Sequence, residues 1–280
     1  MLLPRIKAYT LFIALGALVG LFTLISLPST VPYSVANRGP SGLYTLRTLL
    51  NAEVLYSLDG LESFSSKSTL LISARSKPIG EAQKLLNFVM EGGTALIYGS
   101  PENVINLLRE MGIYTSFRGY VRDIVFNVEG NLNTVVAYNT RYTRVVFKNP
   151  YTLGVDFSEE GIAAWSSVFS HVDINGNGAY DLGEPIGMFP LGLEIAYGSG
   201  KIVALFTEQL LENDVLDYNL ELITAECENK RALIDQSEVA LYPMEALRAY
   251  FVHSMPPANA HLVLVLVAIL STVAYYATKR

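Results

Sequence analysis

The chain has 280 residues, of which 51% are hydrophobic, and a formal net charge of −6 at pH 7. An acidic chain repels phosphate groups, so we expect no nucleic-acid partner. The single cysteine, Cys227, excludes an intrachain disulfide, and the high hydrophobic content predicts membrane segments.

The first predicted element is a membrane-spanning helix at residues 9–27, which carry no charge. As a helix this segment is roughly 28 Å long, which is enough to cross a bilayer. An alternative is a cleavable signal peptide with its cleavage site at Ser34, Val35 and Ala36. The apolar segment is longer than signal peptides usually have, so we expect a permanent anchor.

Predicted strands and helices alternate through residues 28–112. In order they are a helix that Ser41 can cap, strands at 53–58 and 68–74, a helix at 80–91, a strand at 94–100 and a helix at 101–112. Such alternation predicts an α/β fold, with a largely parallel sheet that has helices on both faces.

The pattern changes to short strands after Gly112. Three runs separated by Gly and Asn turns, at 121–128, 133–139 and 143–149, predict an inserted antiparallel β region. Residues 192–206 predict a hairpin whose second strand returns to the central sheet. Two helices are predicted to follow, at 213–227 and 236–252.

A second membrane-spanning helix is predicted at the uncharged residues 262–277. Basic residues lie on the terminal side of both predicted spans, at Arg5, Lys7, Lys279 and Arg280. The positive-inside rule therefore places both termini in the cytoplasm and residues 28–260 outside the cell membrane. The predicted domains are an anchor at 1–27, a first α/β half at 28–112, an inserted β region at 113–190, a closing part at 191–259 and an anchor at 260–280.

Three blocks of the chain resemble the domain-of-unknown-function family numbered 4350. They read NRGPSGLYTLRTLL, LLNFVMEGGTALIYGS and GKIVALFTEQLLENDVLDYNLELI. The resemblance covers roughly residues 33–225 and implies a flavodoxin-like, class I glutamine-amidotransferase-like fold. Related amidotransferases use a cysteine at the turn after a central strand. The corresponding turn here, at 99–101, has no thiol, so the resemblance supplies no catalytic residue.

The segment DINGNGAYDLGEP at 173–185 has the spacing of a twelve-residue calcium loop. The predicted ligands are Asp173, Asn175, Asn177, the carbonyl of Ala179, Asp181 and Glu184, with Gly178 at the sharp turn. A strand-like segment precedes the loop and Pro185 follows it, which excludes the helix pair of a calcium sensor. We therefore expect a structural Ca²⁺. The alternative is a polar hairpin loop whose carboxylates are only solvated.

A ligand cleft is predicted where the parallel strands end, because ligands of open parallel sheets bind at that edge. The candidate lining residues are Asn37, Arg38, Ser41, Ser73, Arg75, Ser100 and Glu208. The helix that begins near Ser41 favours an anionic group there. Alternatively, residues 39–41 form only a turn and a helix cap.

These features predict a non-catalytic extracytoplasmic binding or assembly domain of a membrane complex, with a protein or glycan partner. The alternative is a cell-envelope hydrolase or transferase that uses the cleft. Ser100 would then need a base within hydrogen-bond reach, and His171 is the only candidate. A transporter subunit is a third possibility, but it would need charged or strongly polar residues inside the spans.

Overall fold

The computed structural model describes residues 13, 16–17, 19–20, 27–74, 79–138, 144–154 and 161–254. The chain divides into two compact units, one made of residues 30–238 and the other of residues 1–29 and 239–280. The larger unit contains both sheets and four of the described α-helices.

The helices of the described residues are α1 (Tyr44–Leu50), α2 (Ile79–Met90), α3 (Pro101–Glu110), α4 (Leu216–Glu226) and α5 (Pro243–Ser254), with 3-10 helices at Leu61–Lys67 and Val239–Leu241. The strands are β1 (Glu53–Leu55), β2 (Ser68–Ala74), β3 (Thr94–Gly99), β4 (Ser116–Asp123), β5 (Asn127–Val128), β6 (Asn131–Ala137), β7 (Val145–Gly154), β8 (Ile162–Trp165), β9 (Ser170–Asp173), β10 (Pro190–Tyr197), β11 (Gly200–Leu205), β12 (Thr207–Gln209) and β13 (Arg231–Asp235).

The first sheet has seven strands in the order β1-β13-β2-β3-β11-β10-β8. Its first five strands run parallel, whereas β10 pairs antiparallel with both β11 and β8. Strands β2 and β3 are apolar on both faces and almost wholly buried, as expected of central strands. Strand β13, which lies between β1 and β2, was not predicted.

The second sheet is antiparallel, with the order β5-β6-β7-β4-β9, and β12 pairs with β7 outside this path. Strand β7 is the long strand of this sheet. Val145 and Phe147, near its start, pack in the same hydrophobic core as Leu96 and Val203 of the first sheet. The opposite face of the first sheet packs on α2 and α3 through Phe88 and Leu108 among others. Tyr151 of β7 donates a hydrogen bond to the carbonyl of Gly99, so the carboxyl end of β3 lies against the second sheet.

The predicted fold class is wrong. The seven-stranded sheet is mixed, and the β region forms a separate antiparallel sheet instead of an insert in one helix-flanked parallel sheet. Strand β10 explains part of the error. It pairs antiparallel with β11 on one side and with β8 on the other, so two antiparallel strands extend the parallel part of the sheet.

The predicted membrane spans and the localisation derived from them are also contradicted. No helix of the described residues is long and apolar enough to cross a membrane. Residues 262–277 and most of residues 9–27 lie outside the described part of the chain.

In the smaller unit, α5 carries an ion pair between Arg248 and Glu245, one helical turn apart. Arg248 also donates a hydrogen bond to the carbonyl of Leu27. This arginine therefore joins the two chain segments that form the unit.

Candidate functional site

A cavity of about 370 Å³ lies where β2 and β3 end. Its lining residues are Tyr33, Ser73, Ala74, Gly99, Ser100, Asn103 and Glu208. Ser73 and Gly99 are the last or nearly last residues of their parallel strands, and Ser100 immediately precedes α3. The apolar interior of each strand is buried in the sheet, so the polar residues at its carboxyl end are the ones that reach this edge.

Glu208 is held in the cavity wall by residues of the second sheet. Its Oε1 accepts a hydrogen bond from the Tyr120 hydroxyl at 2.9 Å, and its Oε2 accepts one from Asn149 Nδ2 at 3.1 Å. Burial and then the neighbouring Glu208 carboxyl raise the pKa of Tyr120 to about 12, so the phenol stays protonated and donates. The arrangement fixes a hydrogen-bond acceptor at the cavity.

The strand ends at the cavity present one backbone carbonyl that is already hydrogen bonded and several donor groups that are not. Tyr151, whose pKa burial raises well above its usual range, donates its hydroxyl hydrogen to the carbonyl of Gly99 at 3.1 Å. Ser73 Oγ is buried and has no hydrogen-bond partner in the described part of the chain. Helix α3 begins without a side-chain cap at Ser100, so the first N–H groups of the helix lack that acceptor. The first N–H groups of α3 are therefore open to a ligand acceptor.

Three of the other predicted cleft residues, Asn37, Arg38 and Ser41, do not line the cavity. Asn37 is buried and shapes a turn, where its Nδ2 donates to Val31 O at 2.9 Å and its Oδ1 accepts from Gly39 N at 2.7 Å. Arg38 stacks on the ring of Tyr44, at 4.6 Å from the ring centroid. Ser41 is not the residue that precedes α1, because that position is Leu43. Arg75 lies outside the described residues.

The calcium-type loop folds around its first carboxylate. Asp173 is 1% exposed, and its Oδ1 accepts the backbone N–H groups of Gly176 and Asn177 at 2.7 and 3.1 Å. Its Oδ2 accepts the N–H of Gly178 at 2.9 Å. Glu184, at the other end, is also buried and accepts the N–H of Ile174 at 2.9 Å.

The middle of the loop brings its remaining candidate ligands together. Asn175 and Asn177 each donate a side-chain amide hydrogen to Asp181 Oδ2 at 2.7 Å. The backbone N–H of Asp181 donates to Glu184 Oε2 at 3.0 Å. No three His, Cys, Asp or Glu side chains of the described residues converge closely enough to hold a metal ion. The groups are oxygen-rich, as calcium requires, but they bind one another.

Two buried side chains lie beside this loop, and sequence reasoning missed one of them, Arg122. Arg122 is 8% exposed, and its Nε lies 3.4 Å from Asp173 Oδ2. His171 is 2% exposed and packs edge-on against Tyr180, and neither ring nitrogen has a hydrogen-bond partner among the described residues. Strands β4 and β9 place Arg122 opposite His171, a cross-strand pairing that no local pattern signals.

No described histidine or cysteine lines the cavity at the strand ends. Burial, followed by the charge of Glu226, raises the pKa of the Cys227 thiol to about 11, which suppresses the reactive thiolate. The residues that sequence reasoning missed at the cavity are Tyr33 and Asn103, with Tyr120 and Asn149 behind Glu208. Only Asn103 had a local signal, because it lies in the first turn of a predicted helix.

The family model described as "Domain of unknown function (DUF4350)" matches residues 35–225. No curated protein matches the chain.

Similar solved structures include an exo-β-1,4-mannosidase from Opitutaceae bacterium strain TAV5, with 12% identity, a TM-score of 0.30, and coverage of 66% of this chain and 25% of that one. A β-galactosidase from the Antarctic haloarchaeon Halorubrum lacusprofundi has 14% identity and a TM-score of 0.33, with coverage of 57% and 22%. A cytoplasmic protein from Salmonella typhimurium LT2 has 14% identity and a TM-score of 0.33, with coverage of 64% and 78%. The matched part of this chain thus spans about a quarter of the length of the two glycosidases.

Proposed function

We propose that this chain, which belongs to the DUF4350 family of domains of unknown function, is a non-catalytic binding domain for a protein or glycan partner. The observation that carries the proposal is the cavity at the strand ends, which has hydrogen-bonding groups but no described histidine or cysteine in its lining. Its volume of about 370 Å³ falls in the range of small-ligand pockets.

The chemistry of the cavity favours a neutral ligand that is rich in hydrogen-bonding groups. Glu208 presents a fixed acceptor, while Ser73 and Ser100 present hydroxyl groups that both donate and accept. Sugar hydroxyls and peptide amides have this combination of donors and acceptors. Hydrolysis through Ser100 would require a base to activate the hydroxyl, and no described histidine is in the lining to serve as one.

The proposal includes a structural Ca²⁺ in the loop at 173–184. The side-chain oxygens of Asp173, Asn175, Asn177, Asp181 and Glu184, together with the Ala179 carbonyl, would hold it. The two asparagine amides donate to Asp181 without the ion, so binding requires them to rotate and present oxygen. The ion would offset two of the three negative charges of Asp173, Asp181 and Glu184.

A bulky side chain in the cavity provides the test. The whole chain is titrated with a panel of neutral oligosaccharides and end-blocked peptides, and binding is followed by thermal shift and calorimetry. At about ten times its Kd, a ligand should raise the free energy of unfolding by ~1.4 kcal/mol. Ser100→Phe should weaken that binding at least about tenfold, because the ring occupies the ligand's space.

Asn106→Phe is the matched control, because it adds the same ring to the exposed face of the same helix. Equal loss of binding in both variants would contradict the proposed location. Hydrolytic or transferase turnover of any panel member that disappears in Ser100→Ala would overturn the non-catalytic assignment and favour the enzyme alternative.

A further inference from the structure

A second and larger cavity, of about 440 Å³, opens beside the calcium-type loop. It is lined by Arg118, Thr152, Leu153, Gly154, Val172, Ile174, Pro185, Phe189 and Pro190. The walls are mainly apolar, and Thr152 Oγ1 already donates to the carbonyl of Pro190 at 2.9 Å. The guanidinium of Arg118 is therefore the charged group that the lining offers to a ligand.

Arg118 has no anionic partner among the described residues. Among the described residues, Arg122 pairs with Asp173 and Arg231 pairs with Glu53. No ion pair or hydrogen bond joins the Arg118 guanidinium to a described side chain. An unpaired guanidinium at the rim of an apolar cavity is ready to bind an anion, because guanidinium groups pair with carboxylates in a bidentate manner.

The backbone of β4 gives Arg118 its position. The pairing with β7 passes from Phe117 opposite Leu153 to Gly119 opposite Thr152, which leaves Arg118 as the extra residue of a β-bulge. Such bulges redirect a side chain away from the regular alternation of the strand. Gly119 adopts φ +145°, and a Cβ there would lie 2.5 Å from Val172 Cγ1, so glycine is required at this position.

Gly154 on β7 makes room for the guanidinium. A Cβ at this residue would lie 2.7 Å from Arg118 Nε and 2.9 Å from Ser116 Oγ. The arginine thus packs directly on glycine backbone at the end of the β4–β7 ladder. The β-bulge, together with Gly119 and Gly154, therefore places the unpaired Arg118 guanidinium at the apolar cavity.

We propose that this cavity binds a carboxylate that is attached to an apolar group. The carboxylate would pair with Arg118, and the apolar group would lie against Val172, Ile174 and Phe189. This site goes beyond the binding function proposed above, since its lining shares no residue with the cavity at the strand ends. The same chemistry occurs in free organic acids and at the carboxyl terminus of a peptide with an apolar last residue.

The whole chain is titrated by calorimetry with 3-phenylpropanoate and with an N-acetylated tripeptide that ends in phenylalanine. The corresponding amides are the neutral controls. We expect at least one acid to bind at about millimolar Kd or tighter and its amide to bind at least about tenfold more weakly. Binding by the small acid alone assigns the free-acid source, and tighter binding by the peptide assigns the peptide terminus. The absence of binding by both acids at about 10 mM would overturn the proposal.

Two variants test whether Arg118 carries the affinity. Arg118→Gln should lower acid binding at least about tenfold. Gly154→Ala keeps the charge but displaces the guanidinium, and should also weaken binding. Arg109→Gln removes one positive charge from the exposed face of α3 and should leave binding unchanged.

Undiminished binding in Arg118→Gln would sink the proposal, and so would an equal loss in Arg109→Gln. Circular dichroism of each variant identifies any that is misfolded. If Gly154→Ala does not fold, Arg118→Gln alone decides the test, because it changes an exposed residue. Running the titration with and without added Ca²⁺ keeps a failure here separate from a failure of the calcium proposal.

Discussion

At the scale of single residues, Glu212 is a buried carboxyl group whose pKa lies far above its ordinary value. It is fully buried, and its Oε2 accepts the N–H of Leu210 at 2.7 Å, while its Oε1 has no hydrogen-bond partner within the described ranges. Burial raises the pKa of this carboxyl from 4.5 to about 8. The folded state therefore holds Glu212 protonated at neutral pH.

Glu212 makes the stability of the protein fall as the pH rises. Between pH 4.5 and about 8 the unfolded chain loses this proton while the folded chain keeps it, so the contribution is complete below pH 4.5 and is lost by about pH 8. In the wild-type protein this carboxyl should lower the free energy of unfolding by on the order of a few kcal/mol over this pH range, and Glu212→Gln should abolish that decrease. Urea denaturation of both proteins at several pH values measures it. Glu221→Gln, at an exposed position on α4, is the control, and an unchanged pH dependence in Glu212→Gln would contradict the expectation.

At the scale of an element, internal hydrogen bonds give the loop at 173–184 a defined conformation without a bound ion. Backbone N–H groups turn inward to Asp173, and Glu184 joins the two ends of the loop through the N–H groups of Ile174 and Asp181. A preformed loop lowers the ordering cost of binding an ion. Its three carboxylates would also repel one another less once a cation lay between them.

Calcium should therefore stabilise the whole chain. Sites of this kind in extracellular modules bind at ~10⁻⁴–10⁻³ M, and Ca²⁺ at about ten times Kd should add ~1.4 kcal/mol. Asp181→Asn should reduce the response, because it removes one ligand charge at an exposed position. Thermal melting with Ca²⁺ and with Mg²⁺ is the measurement. Asp217→Asn, exposed on α4, controls for charge. A wild-type chain that does not respond to Ca²⁺ would favour the bare hairpin loop.

At the scale of the larger unit, the side chain of Asn219 joins helix α4 to strand β7 of the second sheet. Asn219 on α4 is fully buried, accepts the N–H of Val146 at 2.8 Å and donates to the Val146 carbonyl at 2.8 Å. It also donates to the carbonyl of Leu210 at 2.9 Å. Its amide thus pairs with β7 in the way that a neighbouring strand would.

Asn219→Leu should destabilise the protein by about 2–4 kcal/mol, because it leaves buried backbone groups of β7 without partners. Chemical denaturation of the whole chain measures the change. Asn106→Leu makes the same substitution on the exposed face of α3 and should change stability by less than about 0.5 kcal/mol. A similar small effect of Asn219→Leu would show that β7 finds other partners.

The sequence alone determined several of the local elements and the membership of the family. The apolar runs at 68–74 and 94–100 became β2 and β3, because a central strand must be apolar on both faces. Ser73, Ser100 and Glu208 were named as cleft residues from their places at strand ends, and the structure places all three around one cavity.

Only the tertiary structure decided how those elements pair and what reaches each cavity. Strand β13 lies between β1 and β2, and the second sheet brings Tyr120 and Asn149 to Glu208 from 88 and 59 residues away along the chain. The bulge that aims Arg118 also depends on its partner strand. Periodicity reports which face of a segment is buried, whereas strand order, direction and register depend on contacts between segments that are distant in sequence.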